Sequence, residues 1–191
     1  MALLVGRLIV RVLAAALCAL ALVPARTAGA AGPVGEHELK AAFLYQFTKF
    51  VTWPADAFAT PDEPIVVGFA GRDRIGVALR EMVAGRRVGE RPIAIRRFES
   101  PEGMTPCHVL FVGGGEDRDS WFNRLEDVRR GGTLTVGEVD GFQERGAITL
   151  LMRENRIRLV VNLEAARAAR LRISSRMLAL ASVVGRSEAS R

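Results

Sequence analysis

The chain has 191 residues, a length that suits one domain with a short extension. Hydrophobic residues make up 49% of the sequence and charged residues 25%, which excludes a disordered or collagen-like chain. The formal net charge of +6 raises the question of nucleic acid or an anionic membrane as a partner. Two cysteines, Cys18 and Cys107, are too few for a disulfide framework or a cysteine zinc site.

The first 30 residues have the pattern of a secretory signal peptide. They contain three arginines and no acidic residue, and an uncharged apolar run of about a dozen residues ends before Pro24. This run is too short for a membrane-spanning helix, which needs roughly 20 apolar residues. The small residues from Ala28 to Ala30 predict cleavage after Ala30. The exported domain would then cover residues 31–191, with an ordered core over about 36–185.

Removal of residues 1–30 halves the basic excess. Three of the 27 basic residues and none of the 21 acidic ones lie there, so the rest of the chain carries a formal charge of +3. The arginine pairs at 86–87, 96–97 and 129–130 stand among acidic residues without interleaved aromatics. Solvated surface is therefore the favoured interpretation, and we expect no nucleic-acid partner.

The first half of the domain alternates helices with strands. Apolar residues at three- and four-residue spacing predict an amphipathic helix over 36–53, which Pro54 ends. The apolar run at 65–70 predicts a buried strand. A helix over about 73–84 and a strand over 93–98 follow it.

The next segment repeats this alternation and closes with a hairpin. A strand is predicted over 108–112, a helix over about 120–130 and a strand over 133–137. After an irregular link, two apolar runs flank a polar turn that contains Asn155, and they predict an antiparallel hairpin over 147–161.

Two capped helices are predicted at the end of the chain. Asn162 can cap a helix over 163–170, and Ser174 or Ser175 can cap a final helix over 177–184. The whole pattern predicts a single-domain, layered α/β fold. Its mixed sheet has about six strands flanked by helices, with a parallel first part and a C-terminal antiparallel hairpin.

Candidate catalytic and ligand-binding features are weak. The glycines at 113–115 lie between a strand and a helix but lack the GxGxxG spacing of a dinucleotide site. His37 and His108 do not have metal-ligand spacing, and His108 and Cys107 are strand neighbours that point to opposite faces. We therefore expect no catalytic residues, no cofactor and no metal site. Cys107 is interpreted as a buried thiol at the head of a strand, with an intermolecular disulfide as the alternative.

Several segments of the chain carry recognisable motifs. The helix at 40–54 ends in Trp-Pro, and Cys107 precedes an apolar strand. The segment 134–151 carries a Gly-Phe pair, and 158–181 carries an Asn-Leu, an Ala-rich helix and a Leu-x-x-Ser-Ser-Arg motif. In order and spacing these segments resemble the YfiR-like family of periplasmic regulatory proteins, and Gly68 falls where that family has its glycine after the first strand. The resemblance covers nearly the whole exported domain.

The resemblance implies a regulator and not an enzyme. Similar proteins bind the periplasmic sensor domain of an inner-membrane diguanylate cyclase and inhibit it, which lowers cyclic-di-GMP signalling and biofilm formation. It also implies a homodimer and sequestration by an OmpA/Pal-type outer-membrane lipoprotein. The alternative from a different class is a periplasmic small-molecule or nucleotide-binding module, with the glycines at 113–115 at the ligand.

The chain departs from the family pattern at three places. Cys107 has no partner for an intramolecular disulfide within residues 31–191. Leu159 and Val160 stand where many relatives have an aromatic and an acidic residue. Arg170 replaces a glycine between the last two helices, so we expect either a more strained turn there or a turn shifted by one residue.

The residues expected to contact a protein partner lie in the second half of the chain. Phe142 is interpreted either as an exposed anchor or as a plug over the sheet. Arg158, Arg172 and Arg176 could donate to partner carboxylates, with Ser174 beside them, although arginines of this kind also serve as solvated surface.

Overall fold

The computed structural model describes residues 35–71, 74–114, 118–154 and 156–185. The signal peptide predicted for residues 1–30 and the predicted turn residue Asn155 lie outside these ranges. None of the helices within the ranges is both long enough and apolar enough to cross a membrane.

The chain alternates short helices and strands along most of its length. The helices are α1 (Glu36–Phe50), α2 (Ile75–Val83), α3 (Arg118–Arg130), α4 (Phe142–Arg145), α5 (Leu163–Ala168) and α6 (Ser175–Leu178). The strands are β1 (Val51–Thr52), β2 (Ile65–Ala70), β3 (Arg87–Val88), β4 (Arg91–Phe98), β5 (Val109–Val112), β6 (Leu134–Gly137), β7 (Ile148–Arg153), β8 (Arg156–Asn162), β9 (Arg172–Ile173) and β10 (Ser182–Val184).

A mixed sheet organises the domain. Among the described residues eight strands join it, in the order β10-β8-β7-β6-β5-β2-β4-β3. Strands β4, β2, β5, β6 and β7 run parallel to their neighbours, β7 and β8 form the antiparallel hairpin, and β10 lies parallel to β8. The predicted mixed α/β fold is confirmed. The two strands beyond the predicted six, β3 and β10, are the short strands at the two edges of the sheet.

Two core clusters cover the two faces of the sheet. The first core cluster packs α1 and α2 on side chains such as Val67, Phe69 and Phe111. The second core cluster packs α3 and Phe142 on the opposite face, against Leu110 and Val112. Because successive side chains of a strand point to opposite faces, the continuous apolar runs of β2 and β5 supply both clusters.

The first helix is shorter than predicted. It ends at Phe50, and Val51 and Thr52 form an antiparallel pair with Ile173 and Arg172. Both residues of β1 are β-branched, which favours extended backbone once a strand partner is available. The predicted extension to residue 53 is therefore wrong by three residues.

The prediction of a final helix over 177–184 is also wrong beyond Leu178. Ser174 does cap a helix, since its Oγ accepts from the N–H of Arg176 at 3.3 Å, but α6 ends at Leu178. Residues Ser182 to Val184 then pair with Val160 to Asn162 as strand β10. Pairing with a distant strand overrides the helical propensity of the Leu-rich run.

The connection around α5 follows the predicted chemistry. The Asn162 Oδ1 accepts from the N–H of Ala165 at 3.0 Å and caps the helix as predicted. Arg170 has φ 56°, the left-handed region in which a residue other than glycine is strained. The strain expected from replacing the family glycine is confirmed.

Candidate functional site

The carboxyl ends of β5 and β6 border a groove of about 510 Å³. Ligands of open α/β sheets commonly bind at this end of the strands, so the groove is the natural place for the nucleotide-binding alternative. Gly114, from the glycine-rich loop, lies on its wall. The carboxylates of Glu36, Glu138 and Asp140 also line it and would repel a phosphate.

Lys40 lies in the same groove but is already bound. Its ammonium group donates to Glu36 on its own helix and to Glu138 just after β6, while its side chain is only 7% exposed. Burial by itself lowers the pKa of Lys40, but the hydrogen bonds that it donates to Glu138 and Glu36 outweigh this effect, and the pKa is raised. The bond to Lys40 lowers the pKa of Glu36. The groove therefore lacks an uncommitted lysine for an anionic ligand. Its other cation among the described residues, Arg153, forms an exposed ion pair with Asp140 at 3.8 Å.

The amino ends of β2 and β5 are held by a neutral histidine. His108 Nδ1 accepts from the N–H of Val66 at 2.9 Å, and its Nε2 lies 3.0 Å from the carbonyl oxygen of Ala57. These partners require the tautomer that carries its proton on Nε2. Burial lowers the pKa of His108, which keeps the ring neutral.

An aromatic stack surrounds this histidine. The Phe58 ring stacks on the His108 ring at a centroid distance of 4.2 Å, and the guanidinium of Arg91 lies 3.6 Å from the Phe58 centroid. Trp53 donates from Nε1 to the backbone oxygen of His108 at 3.1 Å. Both ring nitrogens of His108 therefore form hydrogen bonds to the backbone, so neither is available to act as a catalytic base.

Cys107 is buried as expected. Its Sγ occupies the space beside Gly68, where an added Cβ would lie 3.3 Å from the sulfur and 2.5 Å from Cε2 of Phe98. Burial raises the pKa of the thiol to about 12. A protonated, enclosed thiol is a poor nucleophile. Among the described residues no three His, Cys, Asp or Glu side chains form a group that could hold a metal ion.

Phe142 is a plug and not an exposed anchor. Its ring is fully buried, and an added Cβ on Gly137 or Gly146 would lie 2.4 Å and 1.9 Å from it. The two glycines therefore provide the space that the ring occupies. Phe122 contacts the ring edge-on at a centroid distance of 5.7 Å. A partner cannot reach Phe142 while α4 stays in place.

The structure brings three of the candidate contact residues onto one surface segment. Arg172 and Arg176 are exposed and Ser174 is half-buried, between β9 and the end of α6. The N–H of Ser174 donates to the oxygen of Phe50 at 2.9 Å, which anchors the segment to the first helix. Leu180 follows and is 82% exposed. We call Arg172, Ser174, Arg176 and Leu180 the C-terminal patch.

Arg158 is not part of this patch. Its neighbour Leu159 points into the first core cluster, so the exposed side chain of Arg158 leaves β8 on the opposite face of the sheet. The C-terminal patch instead belongs to a segment whose Ile173 and Met177 pack on the first core cluster.

Sequence reasoning does not find the positions of two side chains. Leu180 falls inside the helix predicted over 177–184, so its exposure is not expected from the sequence. Lys40 was not recognised as the centre of an ionic network, although its spacing of four residues from Glu36 is typical of a helical ion pair. Its second partner, Glu138, is 98 residues away, and no local pattern indicates that contact.

The comparisons with known proteins identify a family and a solved structure of similar fold. The model of the YfiR/HmsC-like family matches residues 37–182. Among solved structures, the chain is similar to that of a conserved domain protein from Vibrio cholerae O1 biovar eltor str. N16961, with 12% identity and a TM-score of 0.54. The similarity covers 78% of this chain and 60% of that one, and at this identity it concerns the fold alone. No protein with a curated description matches the chain.

Proposed function

Because the chain belongs to the YfiR/HmsC-like family, we propose that it binds the periplasmic sensor domain of an inner-membrane diguanylate cyclase and inhibits the enzyme. The family is one of periplasmic, non-catalytic regulators of diguanylate cyclase signalling. The observation that carries the proposal is the family match over 37–182, which runs from α1 into β10. Inhibition would lower cyclic-di-GMP and reduce biofilm formation.

The proposal includes export to the compartment in which the sensor domain lies. Residues 1–30 would act as a signal peptide that is cleaved after Ala30, and residues 31–191 would form the periplasmic regulator. A homodimer and sequestration by an OmpA/Pal-type outer-membrane lipoprotein belong to the same proposal, on the basis of the family resemblance.

The C-terminal patch is our proposed contact for the sensor domain. Leu180 offers an exposed apolar side chain, and Arg172 and Arg176 stand near it in the chain as potential donors to carboxylates. Exposed apolar side chains and arginines both contribute to protein–protein interfaces. Arg158 is proposed as a separate contact on the other face of the sheet. Inhibition requires that these contacts be stronger in the inactive state of the cyclase, since equal affinity for both states shifts nothing.

Deletion of the gene and measurement of cyclic-di-GMP test the proposal. We expect cyclic-di-GMP to rise on deletion and to return to its original level when the unchanged gene is restored. Restoration with Arg176→Glu and Leu180→Asp together should fail, because both changes oppose contact with an apolar or acidic surface. The matched control is Arg124→Glu, which reverses a half-exposed arginine on α3 away from the patch.

Two results would contradict the proposal. One is an unchanged level of cyclic-di-GMP after deletion together with no membrane cyclase recovered by pull-down of the tagged protein. The other is full restoration by the double variant of the patch, which would keep the regulator but remove the patch as its contact site. Circular dichroism of each variant separates lost contact from lost folding.

A further inference from the structure

Part of strand β4, near one edge of the sheet, has no hydrogen-bonded neighbour on its outer side. Strand β4 pairs with β2 from Ile93 to Phe98, but on its outer side β3 reaches only Arg91 and Pro92. Within the described ranges, no strand therefore covers the outer edge of residues 93–97. Five residues is close to the usual length of a strand, so this edge is long enough to receive one more.

The hydrogen bonds fix which backbone groups face outward. The carbonyl oxygen of Phe98 accepts from the N–H of Gly71 at 2.8 Å, so the backbone groups of Phe98 point towards β2. Because the direction alternates along a strand, the N–H and C=O groups of Ile93, Ile95 and Arg97 point away from β2. They form the hydrogen-bonding ladder that an added strand would use.

Arginines flank this ladder on both faces. A groove of about 210 Å³ beside β4 is lined by Arg80 of α2 and by Arg96 and Arg97 of the strand, with Phe69 and Ile95 among its apolar wall residues. Val77, 54% exposed, also lines it. Successive side chains alternate, so Arg97 lies on the face of the first core cluster and Arg96 on the face of the second.

These positive charges are largely uncompensated. Arg97 pairs with Glu99 at 2.7 Å in an exposed ion pair, and Arg96 donates to the hydroxyl of Thr105 at 3.1 Å. In the described part of the chain no carboxylate forms an ion pair with Arg80 or Arg96. Charged residues on an edge strand often serve only to prevent aggregation. Here all three have the same sign, so they repel a basic strand and attract an acidic one.

We propose that the outer edge of β4 at residues 93–97 binds an extended acidic segment of a partner protein as an added β-strand. The backbone groups of Ile93, Ile95 and Arg97 provide the ladder. Arg80 and Arg97 bind carboxylates on one face of the added strand, and Arg96 binds a carboxylate on the other face. This surface is distinct from the C-terminal patch. Its test does not depend on which enzyme the protein regulates.

A labelled ten-residue peptide of alternating Val and Glu is the probe, and fluorescence anisotropy measures its affinity for the full domain. As an added strand it presents all of its carboxylates on one face, where Arg80 and Arg97 lie. The decisive pair of variants is Arg97→Pro and Arg97→Ala. Both remove the exposed side chain, but only the proline removes the outward N–H, and its ring leaves the bonds to β2 intact. We expect about a threefold loss of affinity for the alanine variant and a further loss of ~tenfold for the proline variant.

Two controls use the unchanged protein and avoid any risk that a variant fails to fold. A peptide with Lys in place of Glu should bind at least ~tenfold more weakly, because the three arginines repel it. Two further peptides are methylated on one or the other set of alternate backbone nitrogens. The peptide whose methyl groups replace the N–H groups that face β4 should lose its affinity, because it cannot complete the ladder.

Equal binding of the acidic and basic peptides, or equal affinity of the proline and alanine variants, would overturn the proposal. So would a dimer of the unchanged protein, seen by sedimentation, that Arg97→Pro converts to a monomer. That result would assign the edge to a second copy of this chain.

Discussion

Different interactions hold the two ends of the parallel strands: ion pairs at the carboxyl end, and hydrogen bonds of a neutral histidine at the amino end. At the carboxyl end, the charged side chain of Lys40 is shared between Glu36 and Glu138. At the amino end, neutral His108 bonds to backbone groups and stacks on Phe58. One end therefore depends on the ionised form of its buried group and the other on the neutral form.

This difference indicates where a partner can bind. In many open α/β sheets the carboxyl end is the ligand site, because backbone and side chains there are left open. Here an internal ionic network occupies that end, and a hydrogen-bonded histidine occupies the other. Among the described residues, the exposed large apolar side chains lie beside the edge strand β4 (Val77), on the edge strand β10 (Val184) and in the C-terminal patch (Leu180). Such a division suits a protein that binds proteins more than one that encloses a small molecule.

The largest effect is expected from breaking the carboxyl end. Lys40→Met keeps an apolar stem but leaves Glu36 and Glu138 without their shared cation. Because both carboxylates are partly exposed to solvent, the free energy of unfolding should fall by about 2 kcal/mol. The control is Lys49→Met on the same helix, where the exposed ammonium lies 3.9 Å from the Tyr45 centroid and contributes about 1 kcal/mol or less. Urea unfolding measures both. Equal losses would mean that the network does not hold this end.

Acidic pH should reduce the contribution of His108, at the amino end of the strands, to the free energy of unfolding. Because the pKa of His108 is lowered in the folded state, the unfolded chain takes up the proton first. Its contribution to stability is present above pH ~6.5 and is lost as the pH falls from there towards the folded pKa, with a slope of at most about 1.4 kcal/mol per pH unit.

The matched variants for this effect are His108→Asn and His37→Asn. The first supplies an oxygen for the N–H of Val66 but has no titrating ring, so the unfolding free energy should depend less on pH below 6.5 than in the unchanged protein. The second alters an exposed histidine outside the His108 contacts and serves as the control. The assignment to His108 fails if both variants retain the original slope.

The smallest effect concerns the strained turn near the amino end. Arg170 has φ 56° and forms an exposed ion pair with Asp56 at 2.9 Å. Arg170→Gly removes the strain and should raise the free energy of unfolding by about 1 kcal/mol, since an exposed pair contributes little. Arg170→Ala keeps the strain, loses the pair and should lower stability slightly. Thermal unfolding of the two variants gives the sign, and stabilisation by alanine as well would contradict this account.

Local patterns predict most of the sheet but not its edges. Strands β2 and β5 are continuous apolar runs, so burial on both faces can be inferred from sequence. The hairpin of β7 and β8 follows from two apolar runs around a polar turn. Residues 51–52 and 182–184 were assigned to helices because their strand partners lie at 172–173 and 160–162. A strand partner so far away along the chain does not affect the local sequence pattern from which helices and strands are predicted.

The candidate site is less predictable than the fold, for the same reason. Arg172, Ser174 and Arg176 are neighbours in the chain, so sequence alone can group them. Arg158 is separated from them because its direction depends on the register of β8 against β7. The burial of Phe142 depends on Gly137 and Gly146, which approach the ring only after α4 has packed on the sheet.

The environment of Cys107 makes this thiol a natural reporter of motion. In a chain that begins at residue 31 it is the only cysteine, and it is enclosed between β2 and the second core cluster. A pKa of about 12 leaves almost no thiolate at neutral pH while the domain is folded. A thiol-reactive dye can therefore label Cys107 only after local opening of the domain exposes the thiol. The labelling rate then gives the opening equilibrium or the opening rate, depending on whether reclosing is faster than reaction.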